Sequence, residues 1–255
     1  MIANYHTHTA RCRHASGREE EYVLAALEEG LEVLGFSDHT PYKFEGDYYS
    51  RFRMYPDQLP EYVEIVLGLR QKYAGQIQIP LGLEMEYYPA YFSEVLGWAK
   101  DAGIEYLLLG QHFVGNEMGE HYSGWPTDDE DILRRYCHQV ADAMYTGLFS
   151  YLAHPDLLNF TGDDSVYRRH MQVVCKAAKD CGLPLEVNLL GILTQRNYPD
   201  PVFWELAAEE GCRVIVGRDA HAPEQIKDRQ SEETANRLIQ KLGLQVVDRA
   251  VLRRI

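Results

Sequence analysis

Nine side chains of metal-ligand type lie where short apolar runs of this chain give way to loops. Seven are histidines and two are carboxylates, which is more than one ion can use. They span positions 6 to 221, yet each stands at the end of an apolar run. This shared placement predicts strands that converge on a site for several metal ions. Such a site favours metal-assisted hydrolysis. The candidates are His6, His8, His14, His39, Glu84, His112, His154, Asp219 and His221.

Two candidate pairs have the spacing i, i+2 at the end of an apolar run. Side chains alternate between the faces of a strand, so His6 and His8 project to the same side and can bind one ion. Asp219 and His221 repeat this geometry late in the chain. Glu84 ends a buried run, where a carboxylate is costly unless it is paired or metal-bound. Any one of the nine could instead be a polar edge, capping or buried residue, but their agreement favours a shared site.

The hydrophobic pattern predicts alternating strands and helices to position these residues. Predicted strands cover 2–6, 33–39, 77–84, 106–112, 148–154, 183–188 and 212–219. Predicted helices cover 18–30, 57–74, 91–102, 129–146, 164–181, 201–210 and 231–242. About seven β-α units in a chain of this length favour an α/β barrel of parallel strands over an open sheet. In a barrel the carboxyl ends of the strands surround one pocket, so the first and last strands can reach the same metal.

Composition narrows the class of protein. With 255 residues, 45% of them hydrophobic, and no linker-like tract, the chain is expected to form one domain over 1–255. A net charge of −14 argues against a nucleic-acid partner. Five cysteines without a C-x-x-C pair indicate ordinary thiols, and no targeting leader or membrane-length apolar run is present. We therefore expect a cytoplasmic protein without a membrane partner.

The ordered motifs resemble those of the polymerase and histidinol phosphatase (PHP) family. They are H-x-H, a later histidine, D-H, G-x-E, a strand-end histidine, H-P-D and D-A-H, and they extend over essentially the whole chain. The resemblance implies a distorted (β/α)7 barrel, similar to a TIM barrel, with up to three metal ions. Imidazole and carboxylate ligands suit Zn, Mn, Fe or Co.

Carried over residue by residue, the resemblance assigns the nine candidates to three ions. The first ion would be held by His6, His8, Glu84 and Asp219. Glu84 would bridge to a second ion held also by His112 and His154. The third ion would be held by His14, His39 and His221.

Within that family the chain is most similar to the stand-alone histidinol-phosphate phosphatases of histidine biosynthesis. The supporting stretches are Arg53-Met54, LEVNLLG at 185–191, Arg196, Tyr198-Pro199 and GRDAH at 217–221. This similarity implies hydrolysis of L-histidinol phosphate to L-histidinol and phosphate, so the expected partner is a small phosphorylated substrate. Arg218, where a small residue is expected, and the acidic loop 117–131 depart from the pattern.

Several residues are candidates for contacts with a substrate. Arg196, in the loop after the sixth predicted strand, is the first candidate for the phosphate because guanidinium forks match its oxygens, and Arg53 is the second. Asn188 would hydrogen-bond a ligand or only orient a loop. Asp219 could relay a proton, although ligation competes with that role. The tyrosine-rich loop 40–56 would be a lid over the imidazole and amine of the substrate, or only an aromatic satellite core.

Other functions remain open from the sequence. A PHP-type nucleotide or oligonucleotide phosphoesterase would use the same metals but should have a basic or base-stacking approach, which the acidity of the chain disfavours. A phosphotyrosine phosphatase of the family would need a wider mouth. The alternative of another class is a non-catalytic metal-binding module, which the full ligand set disfavours. His121, in a predicted polar loop, and His138 and His170, within predicted helices, are not assigned to the site.

Overall fold

The computed structural model describes residues 1–119 and 121–255. Its strands are β1 (Ala3–Asn4), β2 (Val33–Leu34), β3 (Gly82–Met85), β4 (Tyr106–Leu109), β5 (Phe113–Val114), β6 (His121–Tyr122), β7 (Phe149–Leu152), β8 (Leu185–Asn188), β9 (Arg213–Gly217) and β10 (Gln245–Val246). Its α-helices are α1 (Glu19–Glu28), α2 (Leu59–Lys72), α3 (Pro89–Asp101), α4 (Glu130–Tyr145), α5 (Asp164–Cys181), α6 (Leu189–Leu193), α7 (Pro201–Glu209) and α8 (Arg229–Leu242). Short 3-10 helices cover Ala10–Cys12, Pro56–Gln58 and Pro223–Lys227.

Seven parallel strands close into a ring. A continuous sheet runs from β3 through β4, β7 and β8 to β9, with β10 at its edge, and β1 pairs with β2. Isolated bridges join the rest: Phe36 to Leu81 connects the segment after β2 to that before β3, and Thr7 to Ala220 connects the segments after β1 and β9. The prediction of a distorted (β/α)7 barrel is confirmed, and the distortion lies where single bridges replace continuous ladders.

Local sequence signals set the ends of the outer helices. Asp129 and Asp163 precede α4 and α5, and each side chain accepts a hydrogen bond from a backbone N–H of the first turn. Gly182 ends α5 in the left-handed conformation, with a φ of 62°. The predicted helix 164–181 therefore coincides with α5, because both of its boundaries carry a strong capping residue.

Apolar side chains fill both the inside of the barrel and the layer between strands and helices. The interior cluster is closed at the amino ends of the strands by the partly buried Val247, Ala250 and Leu252. Beneath the carboxyl ends, the Tyr106 hydroxyl donates to the carbonyls of Tyr5 and Phe36 at 2.7 and 3.1 Å. The interior cluster consists of Ala3, Tyr5, Val33, Tyr106, Leu108, Tyr151, Ala153 and Ile215.

Some elements differ from the sequence prediction. The segment after β4 forms an antiparallel hairpin of β5 and β6, so the prediction that His121 lies in a loop is wrong. The α6 helix, which directly follows β8, and the edge strand β10 were also not predicted. Strands of two residues and a five-residue helix are too short to show a periodic pattern. In the described part of the chain, no helix has the length and apolarity needed to cross a membrane.

Candidate metal centre

Four candidate ligands meet at the carboxyl ends of β1, β3 and β9. Nε2 of His6 lies 3.5 Å from Oε2 of Glu84 and 3.4 Å from Oδ1 of Asp219. Nε2 of His8 lies 3.6 and 3.0 Å from the same two oxygens. Donor atoms about 2 Å from one ion are separated by about 3 to 3.5 Å, so these four atoms have the spacing of one coordination sphere.

The other oxygen of Glu84 faces a second group of imidazoles. Its Oε1 lies 2.8 Å from Nε2 of His154 and 3.6 Å from Nε2 of His112. Glu84 thus directs one oxygen to each group, which is the arrangement that a bridging carboxylate requires. Gly110, just after β4, makes room for it, because a Cβ there would lie 1.9 Å from Oε1.

A third group lies toward the mouth of the barrel. Nε2 of His14 and Nε2 of His221 face each other at 2.9 Å, and with His39 they offer three donor atoms within 4.8 Å of one another. Nδ1 of His39 also lies 3.0 Å from Oε2 of Glu84, so this imidazole adjoins the first group as well. All nine candidates are therefore brought together, while the roles assigned to them stay predictions.

The hydrogen-bond inventory fits metal ions at this centre. Of the eleven buried side-chain nitrogen and oxygen atoms without a hydrogen-bond partner in the described residues, six belong to the candidate ligands. Each such atom costs about 1–3 kcal/mol unless something else pairs with it. A set of imidazole nitrogens and carboxylate oxygens suits divalent transition-metal ions. The six are Nε2 of His6, both ring nitrogens of His8, Nδ1 of His39, Oε2 of Glu84 and Nδ1 of His154.

Glu186, which is fully buried in β8, fixes ligands from behind. It accepts a hydrogen bond from Nδ1 of His6 at 2.9 Å, so that Nε2 of this imidazole faces the centre. It also accepts from the backbone N–H of His154 at 3.1 Å and from the Asn188 amide at 2.9 Å. Gly217 provides the space, because a Cβ there would lie 1.8 Å from the Glu186 carboxylate.

Two further carboxylates stand behind other ligands. Glu86 accepts a hydrogen bond from Nδ1 of His112 at 2.9 Å, and Asp38 lies 3.4 Å from Nδ1 of His8. Sequence reasoning missed Glu86, Glu186 and this role of Asp38. For Glu86 a signal existed, because it follows Glu84 by two residues and a strand places such residues on one face.

Electrostatics keep both carboxylates of the centre ionised. Burial raises the pKa of Glu84, but the surrounding imidazoles, His112 foremost, outweigh it and hold the pKa well below its usual range. Burial likewise raises the pKa of Asp219, but His6 and His8 outweigh this effect and hold the pKa well below its usual range. Two buried anions within a ring of imidazoles form a site with strong affinity for cations.

Several imidazoles are held in the neutral form that binds metal. Burial, together with the charge of His8, lowers the pKa of His14 and lowers those of His39 and His221 strongly. His6, His8 and His112 differ: burial lowers the pKa of each, but neighbouring carboxylates outweigh this and raise it, well above normal for His6 and, through Asp219 and Asp38, to about 9 for His8. A metal ion must therefore displace a proton from His8.

The backbone is strained at two of the ligands. His154 and Asp219 have φ angles of 29° and 50°, in the left-handed region that residues with a side chain rarely adopt. Each such residue costs about 1–3 kcal/mol, and strain of this kind gathers at functional sites.

A cavity of about 290 Å³ opens onto the centre. In its wall, Phe52 and Phe113 stack with ring centroids 5.8 Å apart, and Phe113 packs against Tyr122. The Arg196 guanidinium, also in the wall, donates to the Tyr198 hydroxyl at 2.8 Å. The described residues that line it are His14, His39, Phe52, His112, Phe113, Tyr122, His154, Leu157, Leu190, Arg196, Tyr198, Asp219 and His221.

The predicted substrate contacts have different outcomes. Arg196 lies on the cavity, as a phosphate contact must. Arg53 does not: its guanidinium is buried, and its donors are used by Glu86, Glu117, Ser50 and the Thr40 carbonyl, so the structure corrects the prediction that it contacts substrate.

Asn188 is hydrogen-bonded to residues of the centre and of α6. Its amide donates to Asp219 at 3.1 Å, and its oxygen accepts from the Gly191 backbone N–H. Arg218, the departure in the last motif, points to the carbonyl of Asp228 and to Glu232, away from the cavity.

The two unusual loops also differ in part from expectation. In loop 40–56, Tyr42, Phe44 and Met54 are buried, and Phe52 reaches the cavity. Part of this loop is therefore packed as an aromatic core, whereas Tyr48, Tyr49 and Tyr55 are exposed, and its role as a lid stays a prediction. The acidic loop 117–131 supplies only Tyr122 to the cavity, and its Glu120 lies outside the described residues. Asp219 is the one carboxylate among the described lining residues.

The three histidines left unassigned lie elsewhere. His121 Nε2 is 3.2 Å from the Trp125 carbonyl, His138 is exposed on α4, and His170 pairs with Glu130. A larger cavity, of about 910 Å³, lies at the amino ends of the strands between α2 and the C-terminal segment. Its arginines Arg70 and Arg249 already pair with acidic residues.

Comparison with known proteins gives consistent similarities. A family model described as "PHP domain" matches residues 4–189. A protein of Deinococcus radiodurans named "Probable histidinol-phosphatase" is 33% identical over 236 residues, which is 88% of each chain. The "Histidinol-phosphatase" of Bacillus subtilis is 23% identical over 250 residues, covering 85% of this chain and 92% of the relative.

A solved structure shares the fold. The crystal structure of histidinol phosphate phosphatase from Lactococcus lactis, complexed with zinc, L-histidinol and phosphate, superimposes with a TM-score of 0.75. The two chains are 21% identical, and the match covers 96% of this chain and 95% of the other. This likeness supports the barrel architecture of the chain.

Proposed function

This chain belongs to the PHP domain family, and we propose that it is a metal-dependent phosphomonoesterase that hydrolyses L-histidinol phosphate to L-histidinol and phosphate. The observation that carries the proposal is the convergence of nine ligand side chains on a small cavity that also holds Arg196. Six atoms of these side chains have no hydrogen-bond partner in the described part of the chain. The relative named as a probable histidinol-phosphatase, at 33% identity, supports the choice of substrate. Residues 1–255 would act as one domain in the cytoplasm.

Phosphate monoesters hydrolyse extremely slowly without a catalyst, so the site must supply strong activation. Divalent ions bound here would lower the pKa of water and polarise phosphoryl oxygens. We assign the three ions to the groups of His6, His8, Glu84 and Asp219, of Glu84, His112 and His154, and of His14, His39 and His221. Glu86, Glu186 and Asp38 would keep the ligating imidazoles in place.

Arg196 is the residue that would hold the phosphate. Its guanidinium lies on the cavity wall and is oriented by the Tyr198 hydroxyl at 2.8 Å. The fork of an arginine donates two parallel hydrogen bonds to phosphoryl oxygens, and each charged hydrogen bond contributes about 1.5–3 kcal/mol.

The aromatic wall would hold the rest of the substrate. Phe52, Phe113 and Tyr122 line the cavity, and the rings of Phe52 and Phe113 stack on each other. Flat rings pack against aromatic side chains, and a cation close to an aromatic ring gains about 0.5–2 kcal/mol. The imidazole and ammonium groups of histidinol would therefore bind by stacking and cation-π contact. Loop 117–131 places no carboxylate among the described lining residues.

Asp219 remains the candidate for a proton relay. It lies on the cavity, and its Oδ2 is held by the Asn188 amide at 3.1 Å while Oδ1 faces His6 and His8. Asn188 would thus act by orienting Asp219.

Substrate selectivity tests this proposal. We expect metal-loaded protein to hydrolyse L-histidinol phosphate with a kcat/KM at least tenfold above that of nucleoside monophosphates, glycerol phosphate or phosphotyrosine. The Phe52→Ala variant should lose about 2- to 30-fold for histidinol phosphate and much less for glycerol phosphate, which has no ring or cation. If nucleotides or phosphotyrosine are better substrates by tenfold or more, the proposed substrate is wrong.

A further inference from the structure

Arg53 lies at the centre of a buried ionic network behind the metal centre. Its Nη1 and Nη2 donate to the two oxygens of Glu86 at 3.0 and 2.8 Å. Its Nε and Nη2 donate to Glu117 at 3.0 and 2.7 Å, and Nη1 reaches the Thr40 carbonyl at 2.9 Å. Glu117 also accepts from the Tyr48 hydroxyl at 2.8 Å. A buried arginine with two carboxylates has a high desolvation cost, so its position calls for a reason.

The network ends on a candidate ligand. Oε1 of Glu86 accepts from Arg53 and, at 2.9 Å, from Nδ1 of His112. Because an ionised carboxylate only accepts hydrogen bonds, this contact places the proton of His112 on Nδ1. The free Nε2 then faces Glu84, 3.6 Å away. Without Arg53, Glu86 would lose the two hydrogen bonds that hold its carboxylate and could rotate away from His112.

The same arginine fixes one wall of the cavity. It follows Phe52 in sequence, and its guanidinium lies 4.4 Å from the centroid of the Phe52 ring. Phe52 in turn contacts His39 edge to face, with centroids 5.3 Å apart. Loop 40–56 is thereby connected to the centre in two ways: through the hydrogen bonds from Arg53 to Glu86 and on to His112, which we call the relay, and through the ring contact of Phe52.

We propose that Arg53 is a positioning residue, which orients Glu86 and through it the His112 imidazole, so that metal affinity at the Glu84–His112–His154 group depends on loop 40–56. The inference rests on the metal site of the proposed function, but not on its substrate. It gives the motif residue Arg53 a role other than contact with phosphate.

Metal binding to Arg53 variants tests the relay without any substrate. Metal-free protein would be titrated with Zn²⁺ in competition with a chromophoric chelator, and bound metal counted after dialysis. We expect Arg53→Met to bind one ion about 10- to 100-fold more weakly, as is typical when a residue behind a ligand is lost, while the remaining ions bind as in the wild type. Arg53→Lys, which keeps the charge but not the fork, should lie between the two.

Three variants control for other effects. Arg53→Met combined with Glu117→Gln removes one of the two buried carboxylates that would lose the charge of Arg53, so it preserves a folded protein if the single variant unfolds. Tyr48→Phe removes the Tyr48 hydrogen bond to Glu117 and keeps the hydrogen bonds between Arg53 and Glu86. Arg70→Met removes an arginine fork from Glu105, far from the centre. Neither of the last two should change the Zn²⁺ titration.

The outcomes separate the two proposals. A folded Arg53 variant, single or double, whose titration matches the wild type would overturn the relay, and so would equal weakening of every ion. If the wild type fails to hydrolyse histidinol phosphate while the selective loss of one ion is observed, the proposed substrate is wrong and the relay stands.

Discussion

The two ends of the barrel differ in composition, although the same strands form both. From the amino ends up to the level beneath the ligands, apolar side chains and tyrosines fill the interior, and the Tyr106 hydroxyl contacts two backbone carbonyls. At the carboxyl ends, imidazole and carboxylate atoms lie buried without a hydrogen-bond partner among the described residues, and the backbone is strained at His154 and Asp219. The filled interior thus stabilises the fold, whereas the strained backbone and unpaired donor atoms at the carboxyl ends reduce the free energy of unfolding and leave those atoms free for metal ions.

The contrast between the two ends explains how the site can be both strained and well ordered. Each ligand follows a strand that is anchored in the filled interior, and buried carboxylates such as Glu186 and Glu86 hold the imidazoles from behind. Substitutions at the two ends should therefore have separable effects on stability and on metal binding.

Replacing Glu84 should have the largest effect. The Glu84→Gln variant removes a negative charge that faces both imidazole groups, so turnover and metal affinity should fall by more than about 100-fold, beyond the loss typical for residues behind ligands. The metal-free variant should still fold, because the apolar core of the barrel does not include this side chain, but it should unfold at a somewhat lower denaturant concentration than the wild type, because the imidazoles that hold the pKa of Glu84 low lose their counter-charge. Kinetics, metal titration and urea unfolding check this. The control is His138→Asn on the exposed face of α4, and near-wild-type turnover in the Glu84 variant would refute its role.

A substitution at the filled end should show the reverse pattern. Tyr106→Leu removes a fully buried ring and the donor to two backbone carbonyls, so the free energy of unfolding should fall by about 2–4 kcal/mol. Urea unfolding in the presence of a chelator measures this loss. Zn²⁺ affinity of the folded variant should stay within about twofold of the wild type. A parallel loss of metal affinity would show that the two ends are not separable.

Arg196→Met tests the carboxyl end without touching the ligands. Loss of a charged hydrogen bond to phosphate should reduce kcat/KM by about 10- to 150-fold, and by a similar factor for every monoester. Metal content should not change, because Arg196 bonds only to Tyr198 among the described contacts. Steady-state kinetics on histidinol phosphate and glycerol phosphate provide the comparison, and a loss confined to one of them would argue against a phosphate contact.

The pH dependence of metal binding should reveal the protonated ligand. Since Asp219 and Asp38 raise the pKa of His8 to about 9 against the effect of burial, this imidazole carries a proton at neutral pH in the metal-free protein. Neighbouring carboxylates also raise the pKa of His6 well above its usual range, so the ion held by both imidazoles should bind up to about tenfold more tightly per displaced proton and per unit rise in pH. Chelator competition at pH 6, 7 and 8 measures the slope. An affinity independent of pH over this range would show that His8 is neutral before metal binds.

Much of this architecture could be predicted because its signals are local and repeated. The alternation of strands and helices gave the barrel, and His6, Glu84 and Asp219 stand out because each is a polar ligand type at the end of an apolar strand. Glu186 was not recognised, since its role depends on contact with His6, a residue 180 positions away in sequence. Arg53 was misjudged for the same reason: its type suits phosphate, but the fold commits it to Glu86 and Glu117.

The metal content of the purified chain shows whether the three ligand groups bind more than one ion. Protein prepared without chelator and analysed by elemental methods should carry more than one, and up to three, transition-metal ions per chain, because the ligand atoms form three groups joined by Glu84. Glu84→Gln should carry markedly fewer. A stoichiometry of one or none in the wild type, unchanged after incubation with Zn, Mn or Fe, would contradict the account of this end of the barrel.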